Sequence, residues 1–328
     1  ELSAIACAPR LRSNPKPRAD RPNTQPAVWP TLLRSNAKRR RMEMEMIGVR
    51  NRSTATVISL ALIGAVAPLA VAAMLVFLGA EGASFFATRS FTDLLGSEWR
   101  PVDALFGVTP LVTATLTMAV LAGAVSILIG TPAAIRLIYF APPCERAICE
   151  GALTIMAGLP SIIVGLVGLA WLTPVFGFSV ISGVLALVVM ACPTYTLLVA
   201  AALRQKGDAL APTCRALGLT ERHMACGPAL RAASPSMVVA ATLATGKASG
   251  EATAISLVIG DVSSRPWPGL FEPASAISTA ILKDHGAAAG EHHTALYAAA
   301  ICLAVIILLI NACGALIALY LQKRLIGA

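Results

Sequence analysis

Charge is scarce in this sequence: 13% of its 328 residues are Asp, Glu, Lys or Arg, where soluble domains carry roughly a quarter. With a mean hydropathy of +0.74, such a chain is dissolved by lipid, and an ordinary soluble domain is excluded. Metal-ligand spacing is missing too. The four histidines form no HxxxH, and the adjacent His292 and His293 cannot share a helix face with each other. Eight cysteines include no CxxC, and Cys149, Cys192, Cys302 and Cys313 fall in or beside apolar runs. They read as buried free thiols. The net charge of +9 does not imply a nucleic-acid partner, because the basic residues lie between long apolar runs where lipid headgroups are the neighbours.

What is present divides sharply at the N-terminus. Residues 1–53 form a basic segment, and 1–41 are rich in Pro, Arg, Asn and Lys without hydrophobic periodicity, so disorder is expected. Met42, Met44 and Met46 follow at once, so residues 1–41 are either upstream sequence outside the native protein or a cytoplasmic tail. Six apolar runs then reach the roughly 20 residues a bilayer crossing needs: 57–78, 109–140, 152–175, 180–203, 235–262 and 294–321. The expected class is an all-α polytopic membrane protein. Its first transmembrane helix lies at 54–80, an extracytoplasmic segment at 81–108 and a five-helix core at 109–322. Gly130 and Pro132 predict a kink or an extension in the second run. Lys and Arg collect before the first run, around 136–146, in 204–234 and at the end, so both termini are expected in the cytoplasm of a cell whose inner membrane holds the chain.

The loop 204–234 is long, basic and helix-forming, broken by Pro212, Gly218, Gly227 and Pro228. It predicts a protruding knob: a short helix near 208–217, a turn at Gly218, Leu219 and Thr220, and a second helix capped by Thr220. Its segment Arg215, Ala216, Leu217, Gly218, Leu219, Thr220 resembles the coupling loop of ATP-binding-cassette importer permeases, although Pro212, Thr213 and Cys214 stand at the usual EAA positions and Leu230 and Arg231 at the usual Leu-Pro. Read from its residues alone, the lesser alternative for the loop is a basic surface held against anionic lipid.

Three further stretches resemble the phosphate permeases of that class, and the likeness covers about Ser84 to the C-terminus. One is the entry segment from Phe85 to Leu116, with Glu98-Trp99 and Phe106-Gly107; another is Pro160-Ser161-Ile-Ile-Val-Gly165. Pro160 frees a backbone carbonyl and Gly165 permits close helix approach, which suits either a pore-lining or a packed helix. The last is Gly246-Lys247-Ala-Ser249-Gly250-Glu251, where Lys247 replaces the family's arginine, keeping the charge without the planar fork. On physical grounds Lys247 lies near the middle of an apolar run, at a cost of roughly 2.5–3.5 kcal/mol, so it should face a partner or water. Glu251, one helical turn on, is expected on the same face as its ion partner, forming a gate for an anion. Thr242, Thr245, Ser249, Thr253 and Ser256 read chiefly as packing hydroxyls.

The Gly246-Lys247 pair is no phosphate-binding P-loop, since Ala241 and Ala248 occupy the other required positions. The resemblance therefore implies a substrate path at Lys247, Glu251, Ser249 and Ser161, with Pro132, Pro160, Gly165 and Gly250 shaping helices. It also implies partners: a second homologous permease, a cytoplasmic ATP-binding subunit dimer carrying ATP and Mg, and an extracytoplasmic phosphate-binding protein. No cofactor or metal is expected in this chain. The entry segment favours the first of the two homologous phosphate permeases, whereas the short loop at 176–179 looks like the second. Another oxyanion, or a secondary transporter or scaffold without an ATPase, are the rival readings.

Overall fold

The computed structural model describes residues 29–326. The expectations for residues 1–28 lie outside the described residues. Contacts divide the chain into Glu1–Ala70 and Val71–Ala328. In order, the elements are α1 (Trp29–Thr88), α2 (Phe91–Leu94), β1 (Trp99–Arg100), β2 (Leu105–Phe106), α3 (Thr109–Tyr139), α4 (Pro143–Ala157), α5 (Ser161–Trp171), α6 (Thr173–Phe176), α7 (Val180–Ala216), α8 (Glu221–Met224), α9 (Leu230–Gly250), α10 (Thr253–Ser256), α11 (Ile277–Asp284) and α12 (Glu291–Ile326).

Among the described residues the architecture is all-α apart from one antiparallel hairpin pairing Trp99 with Phe106 and Arg100 with Leu105. Helix extends back to Trp29, into the segment expected to be disordered. Composition explains the difference, because Ala37 to Met46 consists of Ala, Lys, Arg, Met and Glu, all strong helix formers.

Around α7 the core is assembled by α3, α9 and α4, with α12 against α9 and α5 against α10. Apolar clusters stack along this bundle. At the hairpin end Phe85, Leu94, Trp99, Phe106, Leu111, Ile277 and Leu296 pack together. Met118, Val184, Leu187, Ile255 and Ile259 fill the next layer. Leu137, Tyr195, Val199, Leu203, Ala240 and Ala244 close the opposite end.

Among the described residues, four helices are long and apolar enough to cross a membrane: Ser59–Thr88 within α1, α3, α7 and α12. A fifth is added if α4 and α5 form one span. The expectation of six differs in two places. The run 152–175 is no straight helix: α4 and α5 meet at 92°. Pro160, the N-cap of α5, has no N–H to continue the α4 ladder. The run 235–262 is helical only to Gly250. Helix α9 has the length of a span, about 32 Å, but Arg231, Ser234, Ser236, Thr242, Thr245, Lys247 and Ser249 dilute its apolar content.

Helix α3 runs unbroken through Pro132 for 31 residues, about 46 Å, so the expected extension is what the chain adopts. Gly130 lets Tyr195 and Thr196 of α7 approach, since a Cβ there would meet them at 2.6 and 2.7 Å. The described cysteines are free, but burial varies: Cys214 is buried, Cys149, Cys192 and Cys302 are intermediate, and Cys144, Cys226 and Cys313 are exposed.

Candidate functional site

Lys247 occupies the last turn of α9, not its middle. That position sets the ammonium near the negative end of the helix dipole. The side chain is exposed in this chain, and among the described residues no hydrogen bond or ion pair reaches it. Glu251 departs from expectation. The helix has ended at Gly250, and Glu251 is its C-cap, with φ −72° and ψ 119°. Its carboxylate therefore leaves the Lys247 face, accepting from the Ala254 N–H at 3.5 Å while its carbonyl accepts from Ser278 Oγ at 3.0 Å. The expected Lys247–Glu251 ion pair is not formed. The two side chains nonetheless line one small crevice, with Leu187, Met190 and Ala191 of α7 and with Ala248.

The remaining predicted path residues separate. Ser249 is buried and its hydroxyl donates to the Thr245 carbonyl at 3.0 Å. Ser161 opens α5 and is half-buried, away from the crevice lining. Of the other hydroxyls, Thr242 bonds back to the Val238 and Val239 carbonyls and Ser256 to the Thr253 carbonyl. Thr245 fills the space left by Gly123 of α3, and Thr242 that left by Gly314 of α12. These are packing contacts between helices.

Gly165 and Gly168 bring α5 against α10. A Cβ on Gly165 would lie 2.9 Å from the Ala254 carbonyl oxygen, and one on Gly168 3.0 Å from Val258 Cγ1. Gly250 is looser, with Ile307 Cδ1 at 3.6 Å from such a Cβ. One residue near Lys247 was not anticipated. Asn311 of α12 donates to the Ile307 carbonyl at 2.8 Å, and its Nδ2 would lie 3.0 Å from a Cβ on Gly246. An amide within the apolar run 294–321 was the available signal.

The loop 204–234 contains no separate first helix: α7 continues through it to Ala216. It then stops in a Schellman motif, with Leu219 N–H donating to the Cys214 carbonyl and Gly218 N–H to the Arg215 carbonyl, both at 3.0 Å. Gly218 takes φ +69° there. Thr220 caps α8, as its spacing predicted, by accepting from the His223 N–H at 3.4 Å. Five π-helical residues, Ala225–Ala229, lead into α9. Beneath, Cys214, Met224 and Ala229 form a small core, while Arg215, Ala216, Leu217, Gly218, Leu219 and Thr220 stay exposed. The knob thus has a small core of its own and presents its turn outward.

Behind it lies a cavity of about 560 Å³ walled by Tyr139, Arg146, Glu150, Arg204, Asp208 and Arg215, among others. Sequence reasoning did not single out its charges. Glu150 receives Arg146 Nε at 3.3 Å and also Arg204 of α7, whereas Arg136 of α3 pairs with Glu145. The four-residue spacing of Arg146 and Glu150 was readable; the partner in α7 was not.

Comparison with known proteins places these features. A family model described as "Binding-protein-dependent transport system inner membrane component" matches residues 126–327, which contain the crevice and the loop. The chain is similar to the probable ABC transporter permease protein YqgH of Bacillus subtilis (strain 168), at 27% identity over 75% of this chain and 82% of that protein. It is similar to the phosphate transport system permease protein PstC of Mesorhizobium japonicum, at 27% identity over 77% and 86%. It also resembles the phosphate transport system permease protein PstA 2 of Mycobacterium bovis, at 31% over 65% and 71%. Among solved structures, a chain of the inward-facing MetNI methionine ABC transporter shares the fold, with a TM-score of 0.56 and 20% identity over 68% of this chain and 99% of that one.

Proposed function

We propose that this chain, which belongs to the family of binding-protein-dependent transport system inner membrane components, carries inorganic phosphate inward. As a member it is an ABC importer permease, a membrane-embedded transport subunit and not itself the catalyst. The observation that carries the phosphate reading is Lys247, an exposed cation that has no ion partner among the described residues and lines a small crevice against α7. In a membrane-embedded subunit such an ammonium costs too much to leave in apolar surroundings unless an anion or water answers it. The phosphate permeases among its relatives support the same substrate.

In this reading ATP and Mg bind a separate ATPase dimer, which docks on the exposed turn Arg215 to Thr220. A second, homologous permease completes the path, and a phosphate-binding protein delivers substrate to the face bearing the β1–β2 hairpin. Both termini then lie in the cytoplasm, where Arg204, Lys206, Arg215, Arg222, Lys323 and Arg324 collect. Glu251, held off Lys247 by the end of α9, leaves the ammonium free for an incoming oxyanion.

The test is uptake of radiolabelled phosphate in cells lacking other phosphate importers, with membrane insertion measured alongside. Lys247→Ala should lower uptake at least tenfold, the loss of about 1.4 kcal/mol of anion interaction, Lys247→Arg should retain it, and Glu251→Gln, whose carboxylate is turned away to Ala254, should not weaken it. Unchanged uptake in Lys247→Ala would remove this assignment. Stronger competition by sulfate, molybdate or tungstate than by phosphate would transfer the same architecture to another oxyanion.

A further inference from the structure

Helix α4 buries none of its residues, yet it is tied to α3 by Arg136 and Glu145 and to α7 one turn further on. Its Glu150 carboxylate is shared by Arg146 of the same helix and Arg204 of α7. One residue before Arg204, the Leu203 carbonyl accepts the Tyr139 hydroxyl from the end of α3 at 3.2 Å. Gly207, one turn further, leaves room for the Tyr139 ring. Two helices therefore converge on a single turn of α7, and that helix runs on without a break into the exposed knob at Gly218.

The other end of this arm reaches the crevice through α10. Beyond the 92° bend, α5 lays Gly165 on Ala254, whose N–H is the donor to the Glu251 carboxylate. We propose that Glu150 is a positioning residue for transport: by locking α4 to α7 it makes the α4–α5 arm follow the knob, so that knob movement reaches Glu251 from behind. Arg204 supplies the lock from α7 and Arg146 orients the carboxylate. An exposed ion pair adds little stability; its effect here is geometric, because Arg146 orients the carboxylate from its own helix and Arg204 marks the one position on α7 where it is received. The inference rests on the importer reading above.

The test uses the complete complex with its ATPase and binding protein in vesicles, measuring radiolabelled phosphate taken up per ATP hydrolysed. Glu150→Gln and Arg204→Gln should each lower that ratio about fivefold or more, with ATP hydrolysis continuing. The double variant should be no worse than either single one, because both remove one interaction. A ratio unchanged in both single variants, or effects that multiply in the double, overturns the proposal. Should Glu150→Gln fail to accumulate, Arg204→Gln is read alone and must show the same drop, while Arg204→Lys, which keeps the charge at this single-atom contact, must restore the ratio.

A substrate-free readout separates the two hypotheses. A cysteine introduced by Leu257→Cys, beside the Gly165 contact, should change its thiol reactivity on adding a non-hydrolysable ATP analogue, and Glu150→Gln should abolish the change. If that holds in a complex that takes up no phosphate, the substrate assignment fails and the Glu150 role stands. If Glu150→Gln responds like the parent, the Glu150 role fails whatever is transported.

Discussion

The contact between α5 and α10 can be tested by adding one carbon atom. In Gly165→Ala the new Cβ would stand 2.9 Å from the Ala254 carbonyl oxygen and from Leu257 Cδ1, and 3.0 Å from Ala254 Cα. Carbon contacts are relaxed at about 3.5–4.0 Å. Leu257 can rotate, but the Ala254 backbone cannot, so the helices must part. Overpacking of this kind costs about 1–3 kcal/mol. Gly151, on α4, is the control, because a Cβ there meets nothing within 4 Å. Both glycines are helical, and replacing helical Gly by Ala contributes up to about 1 kcal/mol of helix preference. That gain is common to the two variants, so their difference isolates the contact at about 1–3 kcal/mol. At roughly 2–4 °C per kcal/mol for a domain of 150–250 residues, the midpoints should differ by about 2–12 °C. The assay is thermal unfolding of the purified protein in detergent, with Gly151→Ala at or above the parent and Gly165→Ala below Gly151→Ala. Equal midpoints for the two variants would refute the close approach of α5 and α10.

Three other outcomes are expected. Gly218 has open space around it but a left-handed φ of +69°, so Gly218→Val should cost about 1–2 kcal/mol and weaken ATPase co-purification more than Gly218→Asn does. Thr115→Val removes the acceptor of the buried Ile277 N–H, now bonded at 3.0 Å, and should lower stability by about 1–3 kcal/mol in the same unfolding assay. An impermeant maleimide added to the cytoplasmic face should label Cys144 and Cys226, which are exposed, and spare Cys214, which is buried, until the protein is unfolded; labelling of Cys144 and Cys226 from the opposite face alone would reverse the proposed orientation.

Local chemistry was the legible part. Thr220, Gly218 and the surrounding residues set a turn within a few bonds of themselves, so the capped α8 and the end of α7 at Ala216 follow from sequence spacing. The disorder expected at 29–53 differs from the helix the structure describes there, since Pro and Arg in the earlier residues masked the helix formers from Ala37 onward. Around Lys247 the spacing of four to Glu251 implied a shared face, but that inference holds only while the helix continues. Gly250 ended it, and a single φ, ψ change at Glu251 sent the carboxylate to Ala254.

Composition and periodicity by themselves determined that this chain is an all-α membrane protein, where its apolar runs lie, and which of its few charges stand inside them. These are properties of consecutive residues, and the cost of placing polar groups in lipid acts on each run separately. Tertiary structure alone decided the placing of Asn311 beside Gly246 and the meeting of Glu150 with Arg204, 54 residues apart. Each depends on which helix faces which, and that choice is made by interdigitating side chains across the bundle, a quantity no window along the chain contains.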